Sequence, residues 1–310
     1  MRKCKYVVVF FIFCALAYGL SWLSRMTIFS AEEPRHINFA QTTPADSPPT
    51  EEPLRIAVSA MTSPQTTEML YRDLLELIGQ KLDKPVAFVQ RPTYEEVDEL
   101  LKNNRIDLAF VCSGSYALGH EQYGLQLLVI PIIGGKRVYH SDIIVAKDSP
   151  LTSLEALRDK RFTFTSRSSN SGWLAPTFLL AQRQETAETF FSGISYSGTH
   201  DKAVHAVAHG MTDGAAVDSL ILAHMVKDLD PSALAVKVIE RSQDFGMPPV
   251  VVPPGIDAQL HQRLRQLFLT IHESAEGRYI LDNLGIDFFT LANDSEYDSI
   301  RKMAHVCIEQ

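Results

Sequence analysis

The chain is poor in the features that define several protein classes. Its 310 residues hold four cysteines, two of them at positions 4 and 14 of the N-terminus, too few and too badly placed for a disulfide-stapled scaffold. No Cys-x-x-Cys or Cys-x-x-His spacing occurs, so a structural metal site is not expected. Lys and Arg number 29 against 37 Asp and Glu, a net charge of −8, and a nucleic-acid partner is not expected of such a balance. Glycine and proline stand at 16 each beside 45% hydrophobic residues, which excludes a collagen-like or disordered chain. There is no internal period of the kind that builds solenoids. A large apolar core in two domains is what remains.

The first thirty residues differ from the rest. Arg2, Lys3 and Lys5 precede an apolar run over 6–23, broken only by Gly19 and Ser21, and no acid occurs before Glu32. This pattern is an export signal or a retained anchor: Ala15-Leu16-Ala17 suits a signal peptidase, yet the run approaches the roughly 20 residues that span a bilayer. Cys14 follows Phe13, which disqualifies a lipoprotein signal. Residues 32–53 are polar, carry five prolines and read as a flexible tether. Either outcome places the remaining chain outside the cytoplasm, in a periplasm or tethered to the membrane face. Cys112 and Cys307 are then exposed to an oxidising compartment, and the sequence allows either a disulfide or two free thiols.

From residue 54 the pattern alternates. Strands are expected at 54–60, 85–90, 106–111 and 138–146, with helices at 66–82 and 94–102 between them. A second series follows: a short helix at 153–158, strands at 161–165, 194–196 and 214–218, and helices at 171–183 and 199–209. Three helical stretches close the chain, near 257–273, 275–284 and 296–306. Strands alternating with helices argue for βαβ units and mixed, mostly parallel sheets. Two such series joined by extended segments predict two lobes: residues 54–137 plus 247–310, and residues 138–246. A ligand is then expected at the carboxyl ends of strands, between the lobes.

Polar loops fall at those strand ends. Phe164-Thr165-Ser166-Arg167-Ser168-Ser169-Asn170-Ser171-Gly172 passes from a strand into a helix, and hydroxyls beside free helix N–H groups suit an anion. A Ser-rich cap without a ligand has the same appearance. Cys112-Ser113-Gly114-Ser115-Tyr116 repeats the arrangement in the first lobe. Tyr139-His140-Ser141 lies where the lobes meet, and Ser197-Gly198-Thr199-His200-Asp201 is again strand to helix, His200 being either a donor or a plain capping residue. Ser, His and Asp together raise the question of a hydrolase. No Gly-x-Ser-x-Gly elbow exists, and an enzyme is not expected.

The order of these pieces resembles the phosphate, phosphite and phosphonate substrate-binding proteins of ABC importers, of the type II periplasmic-binding-protein superfamily. Asp-Leu-Ala-Phe at 107–110 precedes the Ser/Tyr loop, followed by Tyr-x-Ser at 139–141 and Ser-x-Ser-Gly-x-x-x-Pro at 169–176. Gly-x-His at 198–200 and Gly-x-x-Asp-Gly-Ala-Ala-Val at 210–217 complete the set. The resemblance covers roughly residues 54–284. It implies an α/β clamshell with a hinge, in which Ser169, Asn170 and Ser171 cradle an oxyanion, Asn170 standing where Thr is usual. It also implies that His200 donates to that oxyanion and that Tyr116 and Tyr139 line the cleft. Asp218 is a further candidate, as partner of a cation or of a protonated oxyanion, while Tyr94 has no match and Trp173 is core or ligand wall. Leu220 and Met247 occupy positions where relatives that take aminoalkylphosphonates carry carboxylates. A buried ammonium without such a partner is costly, so aminoethylphosphonate is a poor expectation. The implied function is capture of a small tetrahedral oxyanion for an ABC permease by a monomer without cofactor. The alternative is an extracytoplasmic sensor signalling to a membrane partner such as a kinase.

Overall fold

The computed structural model describes residues 52–308. The export segment and nearly all of the tether lie outside the described residues. Among the described residues no helix is long and apolar enough to cross a membrane.

Thirteen strands occur among them, in two main sheets and one ribbon. In chain order these are β1 (Leu54–Val58), β2 (Val86–Val89), β3 (Leu108–Phe110), β4 (Gln126–Ile132), β5 (Val138–Tyr139), β6 (Ser141–Ala146) and β7 (Arg161–Phe164). β8 (Gly193–Tyr196), β9 (Gly214–Asp218), β10 (Val236–Arg241), β11 (Phe245–Gly246), β12 (Val250–Val252) and β13 (Phe288–Thr290) follow. The first-lobe sheet has the order β13-β4-β12-β3-β1-β2 and the second-lobe sheet the order β10-β6-β9-β7-β8. The β5–β11 ribbon joins the segments that pass between them.

Local chemistry explains the helices that set the site. Helix Pro64–Leu82 opens on Ser63, whose hydroxyl accepts from Thr66 N, with Pro64 at the first position, and ends on Asp83 in the left-handed region. Helix Tyr94–Lys102 opens on Thr93 and buries Tyr94, Val97 and Leu101, the i, i+3, i+7 stripe of an amphipathic helix. Tyr94 thereby sits at the carboxyl end of β2.

The expectation of mostly parallel sheets needs correction. The pairs β1–β2, β1–β3, β7–β8 and β7–β9 are parallel, and every other strand pair is antiparallel. The reversals arise where the chain crosses over: β6 enters the second sheet and β12 returns to the first, each against its neighbours. Sequence periodicity missed β4, β10 and β13. In β4 Leu128 to Ile132 are all buried, so the run shows no alternation, and Pro131 disguises it further.

One core lies under the first sheet, around Ile56, Leu74, Phe110, Leu128 and Phe289, and receives Phe268 from helix Ala258–Thr270. Another, around Ile143, Phe162, Phe164 and Phe190, fills one face of the second sheet. The last helix, Asp298–Ile308, packs on Ser113–Tyr123 of the first lobe and on Ala175–Ala181 of the second, so it bridges both. Both candidate cysteines are free. The disulfide alternative fails because Cys112 is turned toward Asn170, whose N–H donates to its Sγ at 3.4 Å, while Cys307 packs in the cluster holding Ile300 and Met303.

Phe268 meets Phe110 and Phe289 edge to face at 5.9 and 4.9 Å and is fully buried. Phe268→Ala is expected to cost about 3–5 kcal/mol in urea unfolding. A loss below about 1 kcal/mol would show that the C-terminal helices are not part of this core.

Candidate functional site

Most of the polar loops meet between the two sheets. Ser169 caps the turn that follows β7: its Oγ accepts from Gly172 N at 3.0 Å, and the next five residues, Asn170–Leu174, form one wide helical turn. Leu174 N reaches back five residues to Ser169 O at 3.0 Å, and Ala175 N likewise to Asn170 O. Wide turns of this kind cluster at functional sites because they displace side chains from the regular helical spiral. Glycine is required here. A Cβ on Gly172 would lie 1.8 Å from Thr165 Oγ1.

His200 begins helix His200–Ala208 and is buried. The backbone N–H of Asp218 donates to its Nδ1 at 3.0 Å, which fixes the proton on Nε2. Nε2 then donates to Ser169 Oγ at 3.4 Å. Burial pushes the imidazole pKa down to about 3, so the ring is a neutral donor at every physiological pH. Asp218, at the end of β9, caps helix Ser219–Lys227 by accepting from Leu220 N and Ile221 N at 2.7 and 3.4 Å. Its own burial outweighs those bonds and pushes its carboxyl up to about 7.

Five buried side-chain oxygens in this region lack a hydrogen bond of good geometry among the described residues: Ser59 Oγ, Tyr94 Oη, Thr165 Oγ1, Asn170 Oδ1 and Ser171 Oγ, with Ser171 beside Asp218 and Tyr94 beside Ser169. Each such orphan costs about 1–3 kcal/mol. Ser59, Asn170 and Ser171 are fully buried, as is Tyr94. Asn170 Nδ2 donates to Tyr139 Oη at 2.9 Å, and Ser141 Oγ holds the carbonyl of Ser171 at 2.5 Å. No Lys or Arg joins this group. Its polarity comes from neutral dipoles.

Ser169, Asn170, Ser171, His200, Tyr139 and Asp218 thus come together as expected. Tyr116 does not join them. It sits one turn into helix Ser113–Tyr123, facing the core: its hydroxyl donates to Asp294 at 2.8 Å and its ring packs edge-on to Tyr297. The start of that helix, Gly114, is what approaches the Ser169 loop, so closely that a Cβ there would lie 3.2 Å from Ser168 O and 3.3 Å from Asn170 N. Trp173 packs between two core clusters, under Arg167. Ser59 is the addition, and Tyr94, a candidate for which the family offers no match, joins the group. The signal available for both was their position at the carboxyl ends of β2 and β1, where α/β sheets bind ligands.

The lobes touch around this group. His200 N donates to Met61 O and Ser63 N to Asp201 Oδ2, each at 3.0 Å, and Ser168 Oγ donates to Glu95 at 2.6 Å. Beside it, between the lobes, lies a cavity of about 280 Å³ whose inner end is formed by Ser59 and Asp218.

A two-lobed α/β fold that encloses unpartnered hydroxyls at its strand ends is the architecture of the type II periplasmic binding proteins. The model of the family described as the periplasmic substrate-binding protein of phosphonate ABC transporters matches residues 56–297, and the chain belongs to that family. The phosphonates-binding periplasmic protein of Escherichia coli strain K12 is 23% identical over 266 residues, covering 84% of this chain and 78% of that protein. The binding-protein component of an ABC phosphonate transporter from Pseudomonas aeruginosa has a TM-score of 0.78 at 20% identity, over 83% of this chain and 87% of that one. PhnD1 of Prochlorococcus marinus, solved with methylphosphonate, has a TM-score of 0.72 at 18% identity, over 81% of this chain and 97% of that one.

Gly172→Ala is expected to destabilise the protein by about 1–3 kcal/mol through overpacking against Thr165. Adding Thr165→Ala, which removes the clashing Oγ1, should recover part of that loss in thermal unfolding. No recovery would mean that the turn does not approach β7 this closely.

Proposed function

We propose that the protein captures a phosphorus oxyanion carried on a small organic group, a phosphonate, and presents the closed form to an ABC permease. The observation that carries this reading is the set of buried, uncharged donors at Ser169, Asn170, Ser171, His200 and Tyr94, several of them unpartnered without a ligand. Fixed neutral dipoles stabilise an anion in a desolvated site without the reorganisation that mobile charges would need. Asn170 suits the role through its amide. On binding the amide turns over, so that its oxygen accepts from the Tyr139 hydroxyl and its NH2 group donates to the anion.

Closure follows from the lobe-to-lobe contacts. Tyr94 and Ser59 come from the first lobe, the Ser169 loop and His200 from the second, so an anion held by both favours the closed arrangement about the β5–β11 ribbon. The two lobes of one chain enclose the cradle, which supports a monomer. The basic and apolar N-terminus supports export, with residues 32–53 as the tether. The relatives named above are transport proteins, which supports delivery to a permease over signalling. Binding without chemistry is consistent with a neutral His200 whose Nδ1 is already occupied, since a general base needs a free basic nitrogen.

Two variants separate binding from stability. Ser171→Ala and Tyr94→Phe each remove an oxygen that lacks a hydrogen bond of good geometry among the described residues. They should leave unliganded stability unchanged or raised, yet weaken methylphosphonate binding at least tenfold by calorimetry, the loss of one hydrogen bond to a charged group. Unaltered affinity in both variants would place the ligand elsewhere.

The Asp218 carboxyl adds a pH dependence. With a pKa near 7 it is neutral below that value and shares its proton with the bound oxyanion. Above pH 7 it ionises in the free protein, and binding must then take up a proton or tolerate two adjacent negative charges. Affinity is therefore expected to fall as pH rises from 6 to 8.5. Asp218→Asn, which still caps the helix, should flatten that slope, and an identical slope in the variant would remove Asp218 from the site. His200 contributes nothing over this range, because its proton binding lies near pH 3.

A further inference from the structure

The cavity beside the cradle belongs to neither lobe alone. Its first-lobe wall includes Phe110, Pro131, Pro249 and Ile286, and its second-lobe wall Leu220 and Ile221 from the helix that Asp218 caps. At about 280 Å³ it approaches the lower end of the roughly 300–1,000 Å³ typical of small-molecule sites, far more than an inorganic anion fills.

The polar groups along the walls are already engaged. Thr62 and Thr67 bond each other at 2.9 Å, His224 pairs with Asp228 at 3.3 Å, and Lys227 reaches the carbonyl of Asp282 at 3.5 Å. What the walls offer a guest is mostly carbon. The exceptions are Ser59 Oγ, the Tyr71 hydroxyl and Asp218, and Asp218 is bonded through its N–H to His200. The cavity therefore adjoins the cradle through Asp218 and is mainly apolar along its walls. Lys227, an exposed residue of the wall, disfavours a cationic guest.

We infer that this cavity receives the organic substituent of the bound oxyanion, and that the protein selects phosphonates bearing an uncharged, apolar group of several carbons over methyl or aminoalkyl ones. The inference rests on the proposed phosphonate cradle and adds the chemistry of the other end. An ammonium there would meet Leu220 and Lys227, with the carboxylate of the lining, Asp218, holding two backbone N–H groups through one oxygen.

Calorimetric titration of the full-length chain with methyl-, ethyl-, butyl-, phenyl- and 2-aminoethylphosphonate tests it. Each buried methylene is worth about fourfold in affinity, the equivalent of ~0.8 kcal/mol, so butylphosphonate should bind some tens of times tighter than methylphosphonate. The aminoethyl compound should bind more weakly than the ethyl one. Ala223→Trp, at the exposed outer wall, should erase the gain for the butyl and phenyl compounds while sparing methylphosphonate. Methylphosphonate binding as tightly as butyl, or aminoethyl binding tighter than ethyl, would overturn the inference and leave the cradle standing. Failure of every phosphonate to bind would overturn the cradle reading and this inference with it.

Discussion

The hydrogen bond from the Asp218 amide to His200 Nδ1 is the contact on which the rest of the site depends. It decides which ring nitrogen carries the proton, and burial then keeps the ring neutral, so that Nε2 is always a donor. That donor reaches Ser169, whose oxygen in turn holds the Gly172 amide and shapes the wide turn. Because His200 N is also bonded to Met61 O, the same residue ties the cradle to the opposite lobe. One amide thus orders a chain of donors that runs from β9 through the ligand loop into the first lobe.

The cost of this arrangement is visible in the orphaned hydroxyls. A protein selected for stability alone would place apolar groups at Tyr94, Ser59 and Ser171, since unpartnered buried oxygens oppose folding. In the proposed cradle the ligand supplies the missing bonds, which would convert local instability into affinity. The absence of a cationic side chain from the group follows the same logic. A buried Lys or Arg would carry a large desolvation penalty whenever the cleft is empty, whereas neutral dipoles do not.

Much of the second-lobe site was legible in the chain. The run from Thr165 to Gly172, Gly198 to His200, and Asp218 are contiguous in sequence and sit at strand-to-helix junctions, where local rules place hydroxyls and free N–H groups together. Tyr116 was misassigned because its helix begins at the cleft but turns the tyrosine inward, toward Asp294 and Tyr297, nearly 180 residues later in the chain. Tyr94 was a candidate without a motif behind it and Ser59 escaped, because a single residue at a strand end carries no pattern, and only the sheet order brings β1 and β2 opposite the Ser169 loop.

The alternation of strands and helices, the basic and apolar N-terminal run and the polar strand-end loops are properties of short windows, so the sequence by itself determined the fold class and where the second-lobe half of the proposed cradle lies. Strand direction, the buried strand β4, the free state of Cys112 and the apolar cavity depend on segments hundreds of residues apart meeting in one place. Those were decided only by the tertiary structure, because packing partners, unlike helix caps and periodicity, leave no local trace in the chain.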